Sequence, residues 1–273
     1  MLNTAQIKGF WGGVKTNIKA KKDIKEKIIV IESDDWGAVR TPSIEALQAF
    51  EKYGFDLQDS VYKNDALASQ TDLNDLFDLL LSFKNSYGQH PVITANAIMA
   101  NPDFKKIKEY EYTQYYYERF TETFKKYPQH DNNLSIWKKG IKSKVFQPQF
   151  HGREHLNVNR WMRDLQSGGQ KIRFSFDWGS TSSGKGDYSF MEALDWSNAS
   201  EIEKHRKMII EGLNIFKDTF GFNSTSFIAP CYTWDNKIES TLAENGVSCI
   251  QGGRNQNLPT GVFGNYTKLK HSF

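Results

Sequence analysis

Cysteine is scarce in this sequence, and neither a long apolar run nor a large excess of one charge is present. The 273 residues include 2 cysteines, Cys231 and Cys249, which are too few for a disulfide framework and do not have Cys-x-x-Cys spacing. Because no apolar stretch has the length of a secretion signal or a membrane span, we expect no transmembrane segment and a cytoplasmic location, provided that the chain starts at its natural Met. A net charge of +3, without a basic stripe, argues against nucleic acid as a partner.

The N-terminal segment, residues 1–26, is the one locally basic part of the chain. A basic amphipathic helix is typical of proteins that contact a membrane surface, but a helix can equally cover the bottom of a fold. Glycines within the segment weaken such a helix and favour the second interpretation. The apolar residues at helical spacing are Ile7, Phe10, Trp11, Val14 and Ile18, and the glycines are Gly9, Gly12 and Gly13.

Residues 27–273 have the composition of one folded domain in which strand-like and helix-like segments alternate. Residues 103–145 form a Tyr- and Lys-rich insertion in which we predict at least one amphipathic helix. The alternation predicts a parallel sheet or barrel with functional groups at the carboxyl ends of its strands. The predicted strands cover residues 27–33, 91–102, 145–150, 171–176, 224–230 and 247–251, and the predicted helices cover residues 42–54, 71–84, 200–220 and 236–245.

Two adjacent carboxylates, Asp34 and Asp35, follow the first predicted strand. Neighbouring residues that leave a strand point in different directions, so one could bind a metal while the other handles protons. One of them could instead only cap the following turn.

Two of the six histidines follow the third predicted strand in the stretch HGREH. His151 and His155 are four residues apart, a spacing that would place them on one face of a helix. Two imidazoles and one carboxylate leave open positions for water and substrate, which is the ligand set of a catalytic zinc site.

These residues, in this order, resemble the polysaccharide deacetylase family of carbohydrate esterases. The resemblance implies a distorted (β/α) barrel of about seven parallel strands over residues 27–273. The insertion at 103–145 is not typical of the family. It also implies that Asp34 is the base and that Asp35, His151 and His155 bind a divalent metal, zinc first and cobalt or another divalent ion otherwise. The implied partner is an acetylated carbohydrate.

The sequence departs from the family pattern at two positions. The segment IAPCYTW keeps Pro230 and Tyr232 but lacks the Arg that braces the base, a role that Arg153 or Arg40 could take. The late general-acid His of the family has one candidate, His271, near the end of the chain. We therefore expect either that His271 is the acid or that the chain is truncated and the acid lies beyond Phe273.

The predicted strand at residues 171–176 also ends in a candidate site, the stretch FDWGS, where Asp177 and Trp178 would face the same cleft. The Trp178 ring could hold a sugar or only plug the mouth of the barrel. The full set of residues predicted to bind substrate is Trp36, Arg153, Asp177, Trp178, Pro230, Tyr232 and Trp234.

The predicted function is a metal-dependent hydrolase that removes an acetyl group from an N- or O-acetylated sugar or polysaccharide. Two alternatives are a metal-dependent amidase acting on a small non-sugar amide and a non-catalytic relative that binds carbohydrate. The missing Arg favours the alternatives, whereas an open three-ligand site favours an enzyme.

Overall fold

The computed structural model describes residues 27–57, 61–63, 65–186, 188–253 and 255–270. The chain divides into two compact units, and the larger, Ile31–Lys270, contains the elements described below. The predicted N-terminal helix and His271 lie outside the described residues. No helix in the described part of the chain is long and apolar enough to cross a membrane.

Helices and strands alternate along most of this unit. The strands are β1 (Glu32–Trp36), β2 (Ile93–Ile98), β3 (Ala100–Pro102), β4 (Tyr117–Arg119), β5 (Phe146–Gly152), β6 (Ser226–Ile228), β7 (Cys249–Gln251), β8 (Asn255–Pro259) and β9 (Tyr266–Lys270). The α-helices are α1 (Ile44–Lys52), α2 (Gln70–Ser82), α3 (Phe104–Glu109), α4 (Phe120–Lys125), α5 (Asn133–Lys142), α6 (Val158–Gln166), α7 (Gln170–Asp177), α8 (Ile202–Phe220) and α9 (Glu239–Glu244). Short 3-10 turns cover Val61–Lys63, Ala199–Glu201, Pro230–Tyr232 and Asn236–Ile238.

Five strands form one parallel sheet in the order β1-β2-β5-β6-β7, as the alternation predicts. β3 pairs with β4, and β8 pairs with β9, both antiparallel. A closed barrel of about seven parallel strands is not confirmed, because within the described residues β1 and β7 share no backbone pairing. Their side chains nevertheless approach each other: with its amide turned toward β1, Gln251 donates to the Glu32 carboxylate at 3.3 Å.

The two faces of the sheet differ in polarity, and β5 shows why. Phe146 and Phe150 alternate with Gln147, Gln149 and His151 along the strand, so the rings share one face and the polar groups share the other. Helices cover the apolar face, since a Cβ at Gly140 of α5 would lie 2.9 Å from the Phe146 Cβ and one at Gly212 of α8 would lie 2.7 Å from the Phe150 ring. The opposite face therefore remains polar.

Helix capping and glycine positions agree with the predicted helices in part. The glycines Gly221 and Gly246 follow α8 and α9 with φ of 81° and 92°, as expected of C-terminal glycines. Ser43 caps α1, and its side chain accepts from the Ala46 N–H. Ser200 lies inside a 3-10 turn that Asn198 caps, and α8 follows that turn.

Two predicted strands differ from the structure. Residues 171–176 belong to α7, because Ile172, Ser175 and Phe176 are its buried residues and this spacing is helical. β1 begins at Glu32 rather than at residue 27, and Ile29 in the preceding stretch is 87% exposed. Composition alone does not distinguish an apolar run that pairs with β2 from one that precedes the pairing.

Candidate metal centre

A bulge near the end of β1 brings both adjacent carboxylates to the polar face of the sheet. A regular strand would direct Asp34 and Asp35 to opposite faces, but Asp35 has a left-handed backbone (φ 68°) and the register shifts between Ser33 and Trp36. Asp34 accepts a hydrogen bond from Asn96 Nδ2 of β2 at 2.7 Å. Asp35 instead reaches His151 of β5. Because of the bulge, the two carboxylates lie on the same face of the sheet but contact different residues.

Glycine and asparagine hold this turn in place. Gly37 has φ of 89°, and a Cβ there would lie 3.0 Å from the Ile98 carbonyl oxygen and 3.1 Å from the Phe120 ring. Asn101 accepts from the Val39 N–H at 3.1 Å and donates to the Gly37 carbonyl at 2.9 Å. The backbone on the C-terminal side of Asp35 is therefore fixed by its neighbours.

Asp35, His151 and His155 come together as one candidate metal-binding group. Asp35 Oδ1 lies 3.2 Å from His151 Nε2 and 3.4 Å from His155 Nε2. Ligand atoms about 2.0–2.1 Å from a tetrahedral zinc ion are separated by roughly 3.4 Å. His155 is not helical, since it lies in a bend after β5, yet the expected convergence of the two imidazoles with Asp35 is present.

The hydrogen bond of His151 determines which ring nitrogen faces Asp35 with a lone pair. His151 Nδ1 lies 2.8 Å from the carbonyl oxygen of Ile228. A carbonyl oxygen can only accept, so Nδ1 carries the proton and Nε2 of the neutral ring is an acceptor. Asp35 Oδ1, which is buried and has no hydrogen-bond partner of good geometry, is an acceptor as well. The 3.2 Å between these two atoms accommodates a bridging cation, which is either a proton on Nε2 of the charged ring or a metal ion in its place.

The electrostatics of the site favour the protonation states that bind a metal. Burial by itself would raise the pKa of Asp35, but the His151 ring and the charges of His155 and Arg40 outweigh it and hold that pKa well below its ordinary value. Burial, followed by the charge of Arg40, lowers the pKa of His155 to about 3. An ionised carboxylate and a neutral imidazole are the ligand forms of these side chains. The residues present therefore fit a divalent cation.

A cavity of about 190 Å³ opens beside this group. Its polar end carries Asp34, Asp35 and Asp65, whereas Phe124 and Trp137 contribute apolar wall. Trp36 lines the cavity but packs edge-on against Trp137 and Phe146 of the core, with ring centroids 5.9 and 5.1 Å away.

The other predicted site residues lie at various distances from this centre. Pro230 is buried, and its Cγ lies 3.7 Å from where a Cβ on Gly152 would be, so the predicted motif segment packs beside the end of β5. Tyr232 is half-exposed in a left-handed backbone conformation. Trp234 is buried in the core and donates to Glu239 at 3.1 Å.

The expectation that a strand directs Asp177 and Trp178 into the cleft is wrong. Both residues lie at the C-terminus of α7, where Asp177 pairs with Lys108 on the surface at 2.6 Å. Trp178 is partly exposed at the same helix end.

Of the two arginines that could replace the missing family Arg, Arg40 is the one at the site. Arg153 pairs with Glu154 at 2.7 Å and also with Glu211 of α8. Arg40 contacts Asp35 Oδ1 at 3.0 Å, which is the proposed metal ligand rather than the proposed base, and it also pairs with Asp65. No sequence motif links Asp65 to this centre, and sequence reasoning did not find it.

No family model matches the chain, and no curated protein matches it. Among solved structures, the chain is similar to a 4-alpha-glucanotransferase from Thermococcus litoralis, with 8% identity and a TM-score of 0.35 over 81% of this chain and 21% of that one. It is similar to a polysaccharide deacetylase from Bacillus cereus, with 10% identity and a TM-score of 0.35 over 82% of this chain and 57% of that one. It is also similar to IcaB from Ammonifex degensii, with 9% identity and a TM-score of 0.30 over 81% of this chain and 83% of that one. Similarity at this level does not assign the chain to a family.

Proposed function

We propose that this protein is a metal-dependent hydrolase that removes an acetyl group from an N- or O-acetylated sugar or polysaccharide. The observation that carries the proposal is the convergence of Asp35 Oδ1, His151 Nε2 and His155 Nε2 on one point, with Oδ1 3.2 Å and 3.4 Å from the two nitrogens. The order of these residues in the sequence, which resembles that of the deacetylases, supports the choice of reaction.

In this proposal Asp35, His151 and His155 hold a divalent metal, zinc in the first place. When bound, such an ion lowers the pKa of a coordinated water and polarises an acyl carbonyl. Asp34 takes the proton from the attacking water, for which its position on the polar face and its bond from Asn96 suit it. The adjoining cavity of about 190 Å³ receives the acylated group.

The leaving amine or alkoxide then needs a proton. His271 remains the proposed donor on the basis of the sequence resemblance alone. The substitution His271→Gln, which removes the imidazole, should slow turnover and leave the metal content unchanged.

The first experiment measures the metal content of the purified protein by plasma mass spectrometry, after zinc or cobalt is supplied. We expect near-stoichiometric metal in the wild type and loss of metal in Asp35→Ala and His155→Ala. His90→Ala is the matched control, because His90 lies before β2, at the opposite end of the sheet, and contacts the Phe83 carbonyl at 2.8 Å. A wild type that retains its circular dichroism spectrum but takes up no metal would overturn the proposal.

The second experiment separates the proposed base from the ligands. Asp34→Asn keeps an oxygen acceptor for Asn96, so we expect it to keep the metal and to lose acetyl release by about 10²- to 10⁴-fold. Acetyl release is measured on N-acetylglucosamine oligomers and on an O-acetylated xylan. Turnover of small cyclic amides without release from either sugar would reassign the substrate, and glycan binding without any turnover would remove the enzyme assignment.

A further inference from the structure

A buried guanidinium lies against the proposed metal centre. Arg40 is 5% exposed, and its Nη2 lies 3.0 Å from Asp35 Oδ1, the same oxygen that both histidine Nε2 atoms approach. Any divalent cation held by that oxygen would therefore have a fixed positive charge as its neighbour. A guanidinium and a metal ion that contact the same carboxylate oxygen repel each other, and burial of the guanidinium strengthens this repulsion.

A second carboxylate offsets this repulsion. Arg40 Nη1 forms an ion pair with Asp65, whose side chain is 19% exposed and lines the same cavity as Asp35. Arg40 is thus shared between two carboxylates. With Asp65 present, the arginine and both carboxylates together carry one negative charge, which attracts a divalent cation; without Asp65 they are neutral.

The position of Asp65 does not depend on Arg40 alone. Thr41, the residue after Arg40, donates from Oγ1 to the Tyr62 carbonyl at 2.6 Å. The Tyr62 side chain is buried, 5% exposed. The segment that carries Asp65 is therefore anchored next to the turn after β1 by contacts outside the ion pair.

We propose that Asp65 is a positioning residue of the metal centre, which holds Arg40 and neutralises its charge so that Asp35 stays available to the ion. This inference rests on the proposed metal site. It assigns Arg40 to the metal ligand and not to the bracing of the base, because its two carboxylate partners are Asp35 and Asp65.

The test is a zinc affinity measured by competition with a chromophoric chelator. We expect Asp65→Asn to weaken zinc binding by about 10- to 100-fold, the range usual for a residue that supports a ligand. Asp65→Glu keeps the charge and should remain closer to the wild type. Asp177→Asn is the matched control, since it removes one surface carboxylate that pairs with Lys108 away from the centre.

A double variant distinguishes charge compensation from a merely structural role. In Arg40→Gln/Asp65→Asn the uncompensated cation is gone, so we expect zinc affinity to return to within a few-fold of the wild type. An Asp65→Asn protein that binds zinc as tightly as the wild type, or a double variant as weak as Asp65→Asn, would overturn the inference and leave the proposed function standing. A folded wild type that binds no zinc would instead overturn the proposed function, and this inference with it.

Discussion

At the scale of single residues, the end of β1 stores backbone strain at the candidate metal ligand itself. Asp35 is a non-glycine residue with φ of 68°, a conformation that costs about 1–3 kcal/mol and persists because interactions of the surrounding structure offset that cost. The surroundings are the close contacts of Gly37 with Ile98 and Phe120 and the two hydrogen bonds of Asn101. The direction of the Asp35 carboxylate therefore depends on residues outside the candidate ligand set.

Gly37→Ala should destabilise the protein more than an alanine at an equally left-handed but open glycine. A Cβ at Gly37 would meet backbone at 3.0 Å, whereas one at Gly54, with φ of 79°, would meet nothing within 4 Å. We expect Gly54→Ala to lower the free energy of unfolding by about 1 kcal/mol, the cost of the conformation, and Gly37→Ala by about 3 kcal/mol or more. Urea unfolding of both variants measures the difference. Equal losses would show that the turn can relax around the new methyl group.

Residue spacing in the sequence indicates part of this site and not the rest. The two histidines of HGREH and the two adjacent aspartates have a spacing that is recognisable in the sequence. The structure brings Asp35, His151 and His155 together. Arg40 and Asp65 are 25 residues apart and belong to no motif, so only the folded chain shows their contact. The left-handed conformation of Asp35 was equally unpredictable from the sequence, because a positive φ is common for glycine and uncommon for aspartate.

At the scale of elements, long helices and the apolar strands at the centre of the sheet were predictable, and short amphipathic segments were not. α2, α8 and β5 lie close to their predicted bounds because their burial pattern repeats over many residues. The stretch KIRFSF has apolar residues at every second position and also at helical spacing, and packing in a cluster with Trp161 and Phe190 selects the helix. In the insertion at residues 103–145, Tyr117–Arg119 form β4 and pair with β3, so α4 begins only at Phe120.

Helix α8 contains a histidine that should make stability depend on pH. His205 is buried, and burial lowers its pKa to about 4, so the folded protein takes up this proton at a lower pH than the unfolded chain, whose histidine has a pKa of about 6.5. Stability is therefore lost as pH falls from 6.5 toward 4. Between pH 7.5 and pH 5.5 we expect a loss of about 1 kcal/mol from this residue, which His205→Gln should lack.

Urea unfolding at the two pH values, with a chelator present, measures this contribution. Both proteins keep His151 and His155, so the effects of those residues cancel in the comparison. The same pH dependence in wild type and variant would show that His205 titrates normally in the folded state.

At the scale of the whole molecule, the candidate ligands sit on strands that share a neighbour. Asp35 belongs to β1 and His151 to β5, and both strands pair with β2. A metal held between them would link three adjacent strands. We expect zinc to slow amide hydrogen exchange in β1, β2 and β5 more than in β7, which pairs with β6.

Exchange measured by mass spectrometry with and without zinc tests this pattern, and His151→Ala should show no zinc effect. Uniform protection of every strand would mean that the ion stabilises the fold globally and would contradict a local link across β2.

The overall class of fold was predictable, whereas its closure was not. Alternating segments predicted the parallel sheet, which the structure contains with five strands. The antiparallel pair β8–β9 was missed because stretches such as NQNLP lack the β-branched and aromatic residues by which strands are recognised.

The side chains of Glu32 and Gln251 connect the two edge strands of the sheet, β1 and β7. The proposed metal centre depends on β1, β2 and β5, while the side chains of β1 and β7 meet without a shared backbone bond. Insertions or deletions on either side of β7 would change the gap between β1 and β7. The spacing of Asp35, His151 and His155 would be unchanged. Such insertions would change the width of the sheet without moving the proposed metal ligands.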